Sequence, residues 1–373
     1  MTWDLAKAIV RQGMDVIVGT SEIPGVPTRF EQDGVHVHTI SGAAGGRYSR
    51  RFWDGTKELF LEAGRNKTIG VLSVSAAGRE VAMMGEQRDQ PIVLQAHGSS
   101  LGEIRTKWKS ASAKSIAGSV RNLVWLFKDR AARAQYDATV CVSETVRTEL
   151  LHPLSRLGGD DRHMIVIENG IDQTMFYPDR YAREAIRKKL GWIDDPIIVC
   201  ACRMHVEKGV AQLISSFSAL LEMIPSVRMI LVGDGPDKGR LEKLVEELNI
   251  AGRIHFAGGL SRQEVARYLN AGDVFAFLSM RSEGAPLNLL EAMSVGLPCV
   301  LSDHLMSRVP VRRAVWGIDA LNAQAAARAL LLALEYAKEG GRSALDAKRS
   351  IDHCAGQYIE LFRELRSTNR YRT

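Results

Sequence analysis

Two carboxylates, Glu283 and Glu291, and two cations, Arg203 and Lys208, are the residues of this chain whose types and spacing offer chemistry. Glu283 stands in a loop after the apolar run Val274 to Leu278, and Glu291 lies inside a helix expected from about Pro286 to Val295. Pro286 suits the first helical position, while Gly296 and Pro298 supply a stop. The open end of such a helix carries unpaired N–H groups and partial positive charge, so it can hold a phosphate, and Gly284 leaves the approach unblocked. Carboxylates repel a phosphate, so Glu283 and Glu291 match the hydroxyls of a sugar or ribose attached to it. The competing reading is an amphipathic core helix with a solvated glutamate, since Leu287, Leu290 and Ser294 share a stripe with Glu291 beside it.

The cations favour a ligand. Arg203, Lys208 and Gly209 follow the apolar strand Ile197 to Ala201, and Glu283 follows another strand of the same half. Both are loops at strand carboxyl ends, where open α/β sheets place ligands. A guanidinium and an ammonium there offer charge-assisted hydrogen bonds to a diphosphate. Two cations and a helix end balance that charge, and no Asp-x-Asp sequence occurs, so no metal and no resident cofactor are expected.

These residues need a scaffold that alternates strand and helix. In the second half, strands are read at Ile197–Ala201, Met229–Val232, Ile254–Phe256, Val274–Leu278 and Cys299–Leu301, with helices at Val210–Ile224 and Gly239–Leu248. Ser261-Arg-Gln-Glu264 is a capping box that opens another helix. Gly233, Gly235 and Gly239 miss the dinucleotide spacing G-x-G-x-x-G by one residue, which weakens a nicotinamide reading.

The first half alternates likewise. Trp3–Arg11 reads as a helix, followed by strands at Asp15–Val18, Val35–Ile40, Ile69–Val74, Pro91–Gln95, Thr139–Val142 and Met164–Ile167. The pattern implies parallel sheets covered by helices, hence two doubly wound α/β domains. A doubly wound domain begins with a central strand, and this chain opens in a helix, so the first domain is expected to lack its first strand. His97, in the loop His97-Gly98-Ser99-Ser100, is the candidate of this half for facing a substrate. The expected domains are 1–178 and 179–350, with the polar stretch Asp179 to Lys189 as their junction and 351–373 a helix crossing back to the first.

With 373 residues, 46% hydrophobic and 25% charged, the composition is that of an ordinary folded protein of two domains. No transmembrane run or signal peptide is read, and the five cysteines are expected to be free thiols in a reducing cytoplasm. The net charge of +6 favours polyanionic partners. Much of it gathers between Arg105 and Arg133, with Trp108 and Trp125 interleaved, and Arg47, Arg50, Arg51 and Trp53 extend it. Basic helices with aromatic anchors suit an anionic membrane surface, against a merely solvated helix as the alternative. Nucleic acid is not expected as a partner.

Taken together, Arg203 with Lys208-Gly209, Gly233-Asp-Gly-Pro236, Phe256-Ala-Gly258, Ala271-Gly-Asp273, and the carboxylates of Glu283 and Glu291 followed by Ala-Met and Gly-Leu-Pro298 resemble the GT-B glycosyltransferases, specifically their large retaining family 4. Ser143 and Asn169-Gly-Ile-Asp172 also fit. The resemblance covers nearly the whole chain and implies two Rossmann-like domains facing a cleft. It implies that Arg203 and Lys208 bind the diphosphate of a UDP- or GDP-sugar, that Glu291 holds the ribose, and that Glu283 with Gly284, Ala285, Pro286 and Leu287 contacts sugar and phosphate. Gly258 and Leu260 would meet the base, and His97 would reach the donor sugar. Catalysis would fall to His97, Glu283, Arg203 and Lys208, with no metal and with retention of anomeric configuration.

Family members usually begin with a strand and a glycine-rich loop, neither of which is read here, and two further departures stand out. Glu168 occupies a position where proline commonly precedes Asn-Gly, and Asp303-His-Leu-Met replaces a stretch that often carries glycines. The activity implied is transfer of a sugar to a glycan or lipid-linked acceptor at the cytoplasmic membrane face. A nucleotide-sugar 2-epimerase of the same architecture, or a basic nucleotide- or membrane-binding protein without catalysis, are the alternatives.

Overall fold

The computed structural model describes residues 2–46, 48–64, 68–98, 133–152, 163–310 and 312–367. Residues 105–132 of the basic, tryptophan-bearing stretch lie outside them, as do Arg47, Ser99 and Ser100. The chain divides into two units, Met1–Gly170 with Lys348–Thr373, and Ile171–Ala347.

In the first unit, helix α1 (Thr2–Arg11) precedes strands β1 (Ile17–Ser21), β2 (Arg29–Gln32) and β3 (Val35–Ile40). They form a sheet of order β1-β3-β2, with β1 parallel and β2 antiparallel to β3. Asp33 and Gly34, at φ 53° and 75°, make the two-residue turn joining β2 to β3. Helices α2 (Arg50–Glu62), α3 (Arg79–Ala82) and α4 (Glu144–Leu150) accompany the parallel sheet β4-β5-β6-β7, built from Val71–Val74, Ile92–Ala96, Ala138–Cys141 and Met164–Val166. Among the described residues no strand joins β1 to β4, so the strands of this unit stand in two sheets. Helix α1 serves both. Its Ala6 packs with Val35 and Val37, and its Leu5 and Ala8 pack with Val93, Ala138 and Val140.

The second unit opens with helix α5 (Arg180–Leu190) and continues through β8 (Ile197–Ala201), α6 (Val210–Met223), β9 (Arg228–Val232), α7 (Lys238–Glu247), β10 (Ile254–Gly258), α8 (Arg262–Ala271), β11 (Val274–Phe277), α9 (Leu287–Ser294), β12 (Cys299–Ser302), β13 (Val315–Ile318) and α10 (Ala323–Lys338). Its six strands are parallel, in the order β10-β9-β8-β11-β12-β13. Side chains alternate across the sheet. Ile198, Cys200, Val274 and Ala276 join one cluster with α6 and α10, while Ile197, Val199, Phe275 and Phe277 join the other with α8 and α9. Both faces are therefore covered, which is why β8 reads as an unbroken apolar run.

The stretch Asp179 to Lys189, expected as a junction, is mostly α5, and the units part between Gly170 and Ile171 rather than after Pro178. The reason is burial: Ile171 and Phe176, at 1% and 0% exposure, already belong to the core of the second unit. Helix α5 is tied down as well. Arg183 and Arg187 donate to opposite oxygens of Asp273 at 2.5 and 2.7 Å, and the second oxygen also accepts from Ile197 N at 2.8 Å.

The last helix, α11 (Ile351–Ser367), packs in the first unit. Its Ile351, Cys354, Tyr358, Leu361 and Phe362 share a cluster with Leu5, Ala8, Val93 and Val140. Gln95 donates to the buried Tyr358 hydroxyl at 2.7 Å, and Arg11 donates twice to Asp352, at 3.0 and 2.7 Å.

Candidate active site

Strand order reverses between β8 and β11, since β9 and β10 extend the second unit's sheet one way and β12 and β13 the other. At such a switch point the loops leaving two adjacent strands diverge and open a crevice. Here they are the Cys202–Gly209 loop and the Leu278–Pro286 loop, carrying Arg203 and Lys208 on one side and Glu283 on the other.

The loops touch because of one glycine. Gly209 has φ 68°, and a Cβ there would stand 1.8 Å from Leu278 O. Glu207 O accepts from Met280 N at 2.8 Å, closing the contact. Lys208 Nζ then reaches Glu283 Oε1 at 2.7 Å, with Ser279 Oγ 3.0 Å from the same oxygen. The ammonium also sits 5.6 Å from the centre of the Phe277 ring. The side chains of this pair keep 24% and 15% of their exposure, so an incoming anion can compete for Lys208. The residue expected on the diphosphate and the residue expected on the sugar are thus each other's partner. Arg203, on the same loop, is exposed, and its side chain has no partner among the described residues.

The glycines after β9 do related work. Met204 N donates to Asp234 O at 2.9 Å and Asp237 N to Met204 O at 3.1 Å. A Cβ at Gly233 or Gly235 would meet Cys202 O or Met204 O at 2.0 or 2.2 Å, so these residues let two loops lie together. That close approach, and not a dinucleotide turn, accounts for their spacing. Gly233 N also donates to Gly258 O at 2.8 Å, which brings the end of β10, with the half-buried Leu260 beyond it, to the same edge.

Helix α9 begins at Leu287, and Pro286 is its cap residue rather than its first helical residue. The fixed proline φ suits either place, but ψ 111° is extended. Pro286 offers no side-chain cap, and although Asn288 Oδ1 accepts from Leu289 N at 3.0 Å, the helix mouth keeps the partial positive charge that favours an anion. Asn288 Nδ2 donates to Ala201 O at 2.9 Å and fastens the helix mouth to the end of β8. Gly284 and Ala285 stand half-buried between Glu283 and the cap.

Glu291 is 6% exposed, so it is not the solvated glutamate of an ordinary amphipathic helix. Arg262 Nη1 meets it at 3.0 Å, and the guanidinium lies 5.1 Å from the centre of the Phe176 ring. Arg262 is the first residue of α8, directly after the Ser261 cap, whose capping box with Glu264 forms as expected. The arginine was not singled out by sequence reasoning. An arginine in the first turn of a capped helix carries no sign of the buried carboxylate it will meet.

His97 belongs to the other unit. It is exposed at the end of β5, with Nε2 at 3.0 Å from Gln95 Oε1. Because Gln95 gives its amide N–H to Tyr358, its oxygen accepts, and the histidine carries its proton on Nε2. Among the described residues, no group of three or more His, Cys, Asp or Glu side chains is placed to hold a metal ion. Cys200 and Cys202 lie with sulfurs 3.8 Å apart, and all five cysteines are free.

Two family models match the chain: Glycosyltransferase Family 4 over residues 1–174, and Glycosyl transferases group 1 over residues 182–344. The chain is 27% identical over 205 residues to alpha-monoglucosyldiacylglycerol synthase of Acholeplasma laidlawii, covering 54% of this chain and 48% of that one. It is 32% identical over 138 residues to a GDP-mannose-dependent alpha-(1-6)-phosphatidylinositol monomannoside mannosyltransferase of Mycolicibacterium smegmatis, covering 35% of this chain and 36% of that one. The chain thus spans less than half the length of either relative. Among solved structures, sucrose-phosphate synthase from Thermosynechococcus elongatus aligns with TM-score 0.77 at 21% identity over 98% of this chain and 92% of that one. Anabaena HepE in complex with UDP and glucose aligns with TM-score 0.72 at 17% identity over 96% and 94%. With both halves matched by models of one family and the fold matched end to end, the chain belongs to the family 4 glycosyltransferases of the GT-B fold.

Proposed function

We propose that this protein transfers a sugar from a UDP- or GDP-sugar to a glycan or lipid-linked acceptor, with retention of configuration and without a metal. The observation that carries the reading is the Lys208–Glu283 pair at the switch point beside the mouth of α9. An arriving diphosphate takes Lys208 and the exposed Arg203, and the amino-terminal mouth of α9 faces the remaining charge. Lys208 then lets go of Glu283, whose carboxylate accepts from the sugar hydroxyls. Glu291 accepts from the ribose hydroxyls, and the Gly258–Leu260 turn meets the base.

As the glycosidic bond breaks, negative charge grows on the leaving diphosphate. Arg203 and Lys208 stabilise it most in the transition state, which is where electrostatic catalysis gains most. The departing phosphate, on the same face as the acceptor, helps take the acceptor proton, and front-side attack retains configuration. The family resemblance assigns His97 to the donor sugar. Relatives named for diacylglycerol and phosphatidylinositol substrates support a lipid-linked acceptor. No helix among the described residues is long and apolar enough to cross a membrane. The basic stretch from Arg105 to Arg133 supplies a peripheral contact with the anionic inner face of the plasma membrane.

Calorimetry with UDP-, GDP- and ADP-sugars tests the site. Lys208→Ala and Glu291→Ala are each expected to weaken binding of the preferred donor about tenfold to a hundredfold, the scale of a charge-assisted hydrogen bond. Unchanged affinity in both variants would remove the assignment. An acceptor-free assay that yields an epimerised nucleotide sugar would replace transfer with the 2-epimerase reading.

A further inference from the structure

The stretch Asp303-His-Leu-Met, which departs from the family pattern, has a place in the architecture. Ser302, His304 and Arg308 lie at and after the end of β12 and face the loop that carries Glu283. Ser302 Oγ donates to Ser279 O at 2.8 Å, His304 Nε2 lies 3.0 Å from Arg281 O, and Arg308 Nε donates to Glu283 O at 2.8 Å. Every second carbonyl of the loop is held by a side chain from the same neighbouring segment. Arg308 adds Nη2 to Ser282 Oγ at 3.1 Å and folds Nη1 back to His304 O at 3.0 Å, so one planar group joins both segments. A carbonyl can accept only from an N–H of His304, so that nitrogen is protonated and the bond survives whether or not the ring is charged.

We infer that Ser302, His304 and Arg308 are positioning residues that preset the path of the Ser279–Glu283 loop. A loop of this kind can leave its carbonyls to water and wander. Three side-chain donors fix it before any ligand arrives, so less ordering is left to oppose binding and reaction. What they position is the Glu283 carboxylate and the backbone that leads into α9. The catalytic consequence rests on the proposed role of Glu283, whereas the structural one does not.

Arg308→Ala, Arg308→Lys and His304→Gln are compared with the full-length wild type in two measurements. In amide hydrogen exchange without ligand, residues 280–285 of Arg308→Ala are expected to exchange about tenfold faster, the scale of one lost hydrogen bond. His304→Gln, which keeps a donor, stays near wild type, and Arg308→Lys falls between. With UDP-glucose as probe, kcat for hydrolysis in Arg308→Ala is expected to fall about tenfold while KM and the Kd of UDP move less than about twofold, because Arg203 and Lys208 are untouched. Equal exchange in Arg308→Ala and wild type would overturn the inference. So would a loss of UDP affinity as large as the loss of kcat, which marks general damage to the fold. If the wild type neither binds UDP nor acts on UDP-glucose, the exchange result alone decides.

Discussion

The two carboxylates of the candidate site are already paired. Glu283 is held by Lys208 and Glu291 by Arg262, at 2.7 and 3.0 Å. The two pairs differ in what they ask of the protein. In the proposed reaction Lys208 leaves its partner for the ligand, whereas Arg262 stays to compensate a buried carboxylate. Arg262→Ala therefore removes a cationic partner of the buried Glu291 and is expected to destabilise the chain by about 1–3 kcal/mol, below the figure for a fully buried pair because the arginine side chain is 37% exposed. Urea unfolding measures this, and Arg262→Lys should recover part of the loss. Lys208 and Glu283 stand out in the sequence as charges beside a glycine in loops that follow strands, Arg203 as a charge just after β8, and Glu291 as a carboxylate inside the helix that follows Pro286. Arg262, Asn288 and Arg308 do not. Their partners lie 29, 87 and 25 positions away in the chain, and nothing local marks such meetings.

Elements were read best where burial on both sides makes sequence monotonous. Strand β8 coincides with the expected apolar run, and β9 and β12 differ from theirs only at one end. Strand β2, Arg29-Phe-Glu-Gln32, went unread because it is a mostly polar edge, although Asp33-Gly34 before the β3 run carried a hairpin signal. Helix α5 went unread because its polar residues look like a linker, when two of its arginines are spent on Asp273. The two loops of the site meet only because Gly209 lacks a side chain. Gly209→Ala places a methyl against Leu278 O in a left-handed backbone and is expected to cost at least about 3 kcal/mol or to leave the protein insoluble. Ser261→Ala, which removes the cap of α8, is expected to cost only about 1 kcal/mol in the same urea titration. If Gly209→Ala proved the milder change, the account of how the loops are held together would be wrong.

At the scale of the whole chain, alternation of strand and helix was enough to give two α/β units, and the error lay in where they part. Turn residues near Pro178 looked like a border, but Ile171 and Phe176 are core residues of the second unit, which only the packing reveals. The second unit is one unbroken segment, Ile171–Ala347, with both sheet faces covered from within. It is expected to fold when expressed alone and to bind the preferred nucleotide sugar within about tenfold of the whole chain, since only His97 of the proposed donor contacts is missing. A fragment ending at Gly170 is expected to stay unfolded, because it lacks Tyr358 and Phe362 of the cluster beneath α1. Circular dichroism of the two fragments checks both outcomes.

The return of α11 to the first unit also sets a timetable on the ribosome. Residues 1–170 emerge early but wait, with the apolar side of α1 open, until the last helix has left the exit tunnel. The middle of the protein can settle first, so a chaperone that shields nascent apolar surface would meet the amino-terminal half for most of the time synthesis takes.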